Sequence, residues 1–186
     1  MAFSLTVEEK KALLSIARES LERAFDRGTP RYPEATEAMS APCGAFVTLK
    51  IHGDLRGCIG HMTSEDPLWR SVAELARSSA FHDPRFPPLK QGELKNVDIE
   101  ISALSPLERI RSPEEVVAGI HGVLLKHGFA SGVLLPQVAT EQNWDRDTFL
   151  QHTCRKAGLP GSALRDPKTE MYVFTAVVFG EKTGTD

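Results

Sequence analysis

The sequence predicts an α+β fold carried by a mainly antiparallel sheet, and three observations predict it. Helix-like and strand-like segments do not alternate strictly, which argues against a βαβ sheet. Strand-like runs recur in pairs around tight turn signals, as hairpins do. Residues 97 to 104 alternate apolar and polar with a period of two, the mark of a half-buried strand.

The elements follow in order. Residues 6 to 27 read as a helix: Thr6 and Glu9 form a capping box, Leu13, Ile16, Ala17, Leu21 and Ala24 make the apolar stripe, and Gly28 then Pro30 end it. Gly44 to Ile51 reads as a strand with Phe46, Thr48 and Lys50 on one face and Ala45, Val47 and Leu49 on the other. His52-Gly53-Asp54 supplies a turn, and Leu55 to Met62 returns as the partner strand. Asp66 as N-cap and Pro67 at the first helical position open a second helix, buried through Leu68, Val72, Leu75 and Ala76. Three prolines forbid further helix in FHDPRFPPL. After the strand at 97 to 104, Ser112-Pro113 starts a short helix, and 121 to 126 with 132 to 135 form a hairpin turning at His127-Gly128. LPQVATEQNWD reads as a loop and short helical turn. Asp145 caps a helix through Lys156 that Gly158 closes. Met171 to Phe179 is apolar on both faces, which predicts one central strand covered on each side.

Composition narrows the function class. The chain of 186 residues can bury a sizeable core and reads as a single domain, 1 to 186. Its net charge of −3 argues against non-specific phosphate binding as its main business. Three cysteines without a CxxC, Cys43, Cys58 and Cys154, read as reduced thiols of a cytoplasmic protein. The charged, helical N-terminal stretch is not a signal peptide, and no apolar run is long enough to span a bilayer, so no membrane partner is expected.

The unusual strings are LRGCIGHM, residues 55 to 62, and FHDPRFPPL. Gly57 and Gly60 answer to a bulge or to close approach of backbone or ligand. Cys58 reads either as a small buried hydrophobe or as a nucleophile. Arg56, two positions away, shares its face in an extended strand and can favour the thiolate. His61 falls on the opposite face unless a bulge at Gly60 turns it. In the second string, His82, Asp83 and Arg85 are polar handles between Phe81 and Phe86, on a stiff loop that either ties backbone groups together or walls a cleft. Cys58 and His61 make only half of a zinc site; His82, Asp83, His152 and Cys154 lack the spacing of a second half, and no metal or cofactor is expected. Glu100 is a candidate base on a polar strand face, where exposure is the default. GxSxG, Walker A, GxGxxG and HExxH are all absent, and Gly57-x-x-Gly60 lies between strands, where an RNA-clamping KH loop joins helices.

The ordered series FVTLK, LRGCIG, DPRFPPL, IEISALSP, GIHGVLL, LLPQVATEQNWD and FLQHTCRKAGL resembles the AMMECR-one domain family, whose hallmark is LRGCIG. The resemblance runs from about Phe46 to the C-terminal strand. It implies a cytoplasmic α+β protein with a larger and a smaller lobe, a cleft between them beside the hallmark, and partnership with a Memo-like protein and a radical SAM protein. It implies no assigned reaction. By matching residues, Arg56, Gly57, Cys58 and Gly60 carry the hallmark, and Asp83, Arg85 and Phe86 the second motif. His61 stands where relatives carry a small hydroxyl residue, so the resemblance lends nothing to a Cys58–His61 dyad.

Two functions follow. One is an accessory component that binds its partners, or a nucleic acid as a regulatory module, through the cleft. The other is a thiol-dependent enzyme of acyl or alkyl transfer, with Cys58 as nucleophile and Arg56 or Arg85 gripping an anionic group by its fork. The missing acid–base pair favours the first; the thiol beside an arginine favours the second.

Overall fold

Period-two alternation does most to organise the chain. In a computed structural model describing residues 3 to 182, it yields two separate four-stranded antiparallel sheets where the sequence predicts one. The chain divides into two compact units: the first runs through Leu104 and resumes at Val177, and the second is Ser105–Ala176.

In the first unit, α1 (Val7–Asp26) starts as predicted. Thr6 Oγ1 accepts the Glu9 N–H at 3.2 Å, and Glu9 Oε2 accepts the Thr6 N–H at 2.8 Å. It ends at Asp26, two residues before Gly28, because Arg27 itself takes the left-handed conformation (φ 56°). A one-turn helix, α2 (Glu37–Ser40), follows, too short for periodicity to reveal. The sheet combines β1 (Ala45–Ile51), β2 (Asp54–His61), β3 (Val97–Leu104) and β8 (Ala176–Gly180) in the order β2-β1-β3-β8. His52 and Gly53, both at positive φ (54° and 91°), make the two-residue turn between β1 and β2. Ala45, Val47, Leu49, Ile99, Ile101 and Ala103 are fully buried in one core cluster with Leu13, Ile16 and Leu21 of α1 and with Leu68, Val72 and Ala76 of α3 (Leu68–Phe81). Each such Leu, Ile or Val contributes about 1.5–3 kcal/mol by leaving water, so this apolar face sets the strand register.

Asp66 does not cap α3. The capping position belongs to Pro67 (φ −53°, ψ 142°), and the Leu68 N–H donates to Ala41 O at 3.1 Å. Backbone from a distant loop satisfies the donor that a side-chain cap would have taken, a competition no local spacing reveals.

The second unit orders its sheet β4-β7-β5-β6, from β4 (Glu108–Ile110), β5 (Gly122–His127), β6 (Ala130–Leu134) and β7 (Glu170–Phe174). Two helices, α4 (Pro136–Glu141) and α5 (Arg146–Lys156), complete it; Asp145 caps α5 through the Thr148 N–H at 2.8 Å. Phe149, Leu150 and Cys154 of α5 pack with Val123, Leu125, Met171 and Val173.

The predicted strand Met171–Phe179 is two strands in two sheets. β7 is central in the second sheet, whereas β8 is an edge of the first, with Val178 exposed. Between them, the Thr175 N–H donates to Ser105 Oγ and the Ser105 N–H to Thr175 O, both at 2.9 Å. An unbroken apolar run hides such a change, because both halves are strand-like and half-buried.

Gly57 and Gly60 do not occupy the positive-φ region. What they supply is room. A Cβ at Gly57 lies 2.0 Å from Ser79 O at the end of α3, and one at Gly60 lies 2.2 Å from the Phe46 ring and 2.5 Å from Ala45 O. Gly57→Ala and Gly60→Ala therefore each lose more than the ~1 kcal/mol of an ordinary glycine propensity effect. Gly92→Ala, where nothing lies within 4 Å, is the control and stays neutral or gains stability. Denaturant midpoints of the three variants check this; unchanged midpoints for both motif glycines contradict it.

Candidate functional site

β2 is an edge strand, and an edge leaves backbone donors and acceptors without a ladder partner. The end of α3 and the loop after it occupy that edge. The buried Ser79 hydroxyl accepts the Ile59 N–H at 2.9 Å and donates to Val47 O at 2.7 Å, bridging two residues that oppose each other across β1 and β2. Four residues on, the buried Asp83 carboxylate accepts the Cys58 N–H at 2.8 Å. Asp83 also takes the Arg85 side chain by both oxygens, Nε to Oδ1 at 2.9 Å and Nη2 to Oδ2 at 2.7 Å, and the Arg85 N–H at 3.1 Å. Arg85 Nη2 reaches on to Cys58 O at 3.2 Å. The Asp83–Arg85 pair thus clips both polar groups of the Cys58 residue, as a further strand would.

The two sequence motifs therefore meet in space. The loop is folded back by the Phe86 N–H on Asp83 O (3.1 Å) and the Leu89 N–H on Ala80 O (2.8 Å). The guanidinium of Arg85 sits 5.6 Å from the Phe86 ring centroid, a cation–π distance. The Arg85 side chain is 55% exposed while that of Asp83 is 2% exposed, so the clip shows solvent its cation and hides its anion. Arg85 first, then the Cys58 and Arg85 backbone donors, hold the Asp83 carboxyl far below the usual carboxylate range against the opposing effect of burial.

Arg56 does not turn to the thiol. The β1–β2 register slips between Leu49 and Lys50, so that Arg56 is the extra residue of a bulge, and bulges re-aim side chains. Its fork lies on Glu93, Nε to Oε1 at 2.9 Å and Nη2 to Oε2 at 3.2 Å, while its buried Nη1 has no partner. No bulge at Gly60 turns His61: register is continuous from Gly57 to His61. His61 consequently stays on the face opposite Cys58, half-buried, with its Nδ1 unpartnered. His82 ends α3, exposed, its backbone N–H on Ser78 O. Among the described residues no three of His, Cys, Asp and Glu gather as a metal site.

Cys58 is half-buried, and Thr48, directly opposite it on β1, donates its hydroxyl to Sγ at 3.2 Å. Glu100 is the next residue along this cross-strand row, and its Oε2 lies 2.9 Å from Lys50 Nζ. The row Cys58–Thr48–Glu100 shares one sheet face, since directly opposed residues project to the same side. Sequence reading places Thr48 and Lys50 on one face but misses their link to Cys58, because cross-strand register depends on the turn and the bulge. Glu93 and Ser79 were also missed, since neither carries a local signal for a partner some 20 to 40 residues away. The remaining histidines serve the fold: His121 Nδ1 accepts the Val117 N–H at 3.2 Å, His127 Nδ1 is 3.0 Å from Thr169 Oγ1, and His152 stacks on Trp144 at 3.9 Å.

The three thiols are now distinct. Cys43 and Cys154 are buried, and burial pushes both up, Cys43 to about 11. Cys58 is the most exposed of the three, half-buried where the other two are buried. Iodoacetamide labelling of the native protein, followed by mass spectrometry across a pH series, should modify Cys58 first. Cys43 should label only as pH rises towards its raised value, since the thiolate is the reactive form. Native-state labelling of Cys43 or Cys154 ahead of Cys58 contradicts this arrangement.

Comparison with known proteins agrees with the fold. The AMMECR1 family model matches residues 14–179. A protein of Methanothermobacter thermautotrophicus is 42% identical over 186 residues, spanning 95% of this chain and 96% of its own. Protein NEQ441 of Nanoarchaeum equitans is 42% identical over 177 residues, spanning 91% of this chain and 98% of its own. The crystal structure of the uncharacterized protein PH0010 from Pyrococcus horikoshii superposes with a TM-score of 0.82 at 37% identity, over 95% of this chain and 94% of that one. On the extent of these matches, the chain belongs to the AMMECR1 family.

Proposed function

We propose that this is a cytoplasmic accessory component that acts with a Memo-like protein and a radical SAM protein, and that the clipped edge of β2 is a binding surface rather than a catalytic centre. One observation carries the reading: the charged groups of the two motifs, Arg56, Asp83 and Arg85, each hold a partner within the fold. Arg56 is held by Glu93, Asp83 by Arg85 and the Cys58 amide, and Ser79 by Ile59 and Val47. Among the described residues no histidine or carboxylate donates to or accepts from the Cys58 sulfur; its hydrogen-bond partner is the Thr48 hydroxyl. What remains outward is the exposed part of Arg85 and its neighbour Phe86, a rigid cation beside an aromatic ring, which suits recognition of a partner's carboxylate. The choice of partners rests on the company the family keeps, and cytoplasmic residence on the reduced thiols; no helix among the described residues is long and apolar enough to cross a membrane.

A thiol-dependent enzyme of acyl or alkyl transfer is the second reading. It is favoured by Cys58 being the least buried of the three cysteines, with a hydroxyl on its sulfur.

Affinity purification of the tagged chain from its native cell tests the first reading. The Memo-like and radical SAM proteins should co-purify with the wild type and fall away with Phe86→Ala, which leaves the Asp83–Arg85 clip intact, and with Arg85→Ala where melting shows that variant folded. A wild-type chain recovered without either protein contradicts it. Turnover by the isolated chain that Cys58→Ser abolishes decides for the enzyme.

A further inference from the structure

β6 is an edge of the second sheet, and unlike β2 it carries no clip. The two-residue turn Gly128-Phe129 makes His127 and Ala130 its closing pair, and hydrogen-bonded pairs alternate from there. Ala130, Gly132 and Leu134 therefore bond to β5, and the N–H and C=O groups of Ser131 and Val133 point outward. Among the described residues those four groups have no hydrogen-bond partner. No residue from Gly128 to Leu135 is charged, none is proline, and the β5–β6 register has no bulge, so the usual guards of an edge are missing. The Phe129 ring stands fully exposed at the head of the strand.

A depression of about 260 Å³ lies beside this edge. β6 alone supplies its sheet side, through Leu134; Trp144 and three residues of α5, His152, Arg155 and Lys156, supply the other. Spacing on α5 brings the cations together: Arg155 and Lys156 stand three and four positions after His152, hence on one helix face. His152 in turn stacks on Trp144, with ring centroids 3.9 Å apart. No acid lines the depression, and Glu141 at the end of α4 lies outside it. Neither cation has an ion pair or a side-chain hydrogen bond among the described residues, and no acid stands three or four positions from either along the chain. Asp147, more than two helical turns back, is paired with Arg146. The depression is smaller than the ~300–1,000 Å³ of small-molecule sites and suits a single side chain.

We propose that β6 is a docking edge for an extended acidic segment of a partner protein. The segment adds as a further strand. Its backbone pairs with Ser131 and Val133, one apolar side chain enters the depression against Leu134 and Trp144, and its carboxylates meet Arg155 and Lys156. Phe129 offers a further apolar contact at the hairpin tip. The cations decide against a second copy as occupant: an antiparallel β6–β6 pairing sets Arg155 and Lys156 of both copies along one seam, where like charges repel. The edge lies wholly within the second unit and shares no residue with the β2 surface.

The test is an NMR titration of the full-length, isotopically labelled chain with a short, end-blocked peptide that alternates glutamate with valine and leucine. Saturable shifts should centre on Ser131, Val133 and the Trp144 indole, and the Ser131 and Val133 amides should exchange at least tenfold more slowly with peptide bound. The same peptide with lysine for glutamate, and the glutamate peptide N-methylated along its backbone, should each bind at least tenfold more weakly, about 1.4 kcal/mol. The double variant Arg155→Gln, Lys156→Gln should weaken binding as much, while Arg77→Gln on α3 should change nothing. Because neither cation holds a partner in the protein, the double variant should keep the wild-type spectrum elsewhere. Absence of saturable shifts overturns the proposal. A lysine peptide that binds as tightly, or a double variant that binds normally, overturns the acidic assignment. Shifts without protection of Ser131 and Val133, or an N-methylated peptide that binds equally, overturn strand addition. Protection of those amides that rises with protein concentration and needs no peptide gives the edge to a second copy, and overturns the proposal as well.

Discussion

The hydrogen bond from the Cys58 amide to the Asp83 carboxylate is the contact on which the site depends. β2 is the outermost strand of its sheet, and its outward N–H and C=O groups must be satisfied or left as a template for another chain. Asp83 and Arg85 satisfy them at Cys58. A carboxylate alone in that buried position carries a desolvation cost; Arg85 offsets it, and the backbone donors complete the shell. The lowered Asp83 pKa ties the clip to pH in one direction. Its contribution to stability is fully present above the ordinary carboxylate range, near pH 4, and is lost as pH falls through the lower folded value.

Everything else about LRGCIG follows from how closely the end of α3 approaches β2. Gly57 admits the Ser79 carbonyl, Gly60 admits the Phe46 ring, and the Ser79 hydroxyl joins β1 to β2 from the helix side. Arg56 is displaced by the bulge to Glu93, which anchors the same strand to the 3₁₀ helix Gln91–Asn96. These contacts make a stiff edge. The thiol rides on it, flanked by Thr48 rather than by a base. Stiffness is what a recognition surface needs, since side chains already fixed lose little entropy on binding.

Much of the fold was legible in the sequence, because its signals are local. The Thr6–Glu9 box, the Asp145 cap, the His52-Gly53 turn and the alternation of β3 each lie within a few residues and survive folding unchanged. What was hidden depends on partners distant in the chain. Pro67 replaces Asp66 as cap because Ala41 supplies an acceptor, and the last apolar run divides at Thr175 because Ser105 receives it there. The site shows the same division. The stiff loop marks out Asp83 and Arg85, and of its two readings the one in which they tie backbone groups together describes them. Regular strand geometry puts Arg56 on the face of Cys58, and a bulge removes it from there. Thr48 stayed out of view until register placed it opposite Cys58.

Amide hydrogen exchange at Cys58 tests the central claim most directly. If Asp83 holds that N–H, the amide of this outermost strand is protected in the wild type to the level of a structural hydrogen bond. In Asp83→Ala it should exchange at least tenfold faster, while the core amides of Ile99 and Ile101 change only by the shift in global stability. A Cys58 amide that exchanges like an unprotected peptide in the wild type, or whose rate is indifferent to Asp83→Ala, contradicts the account.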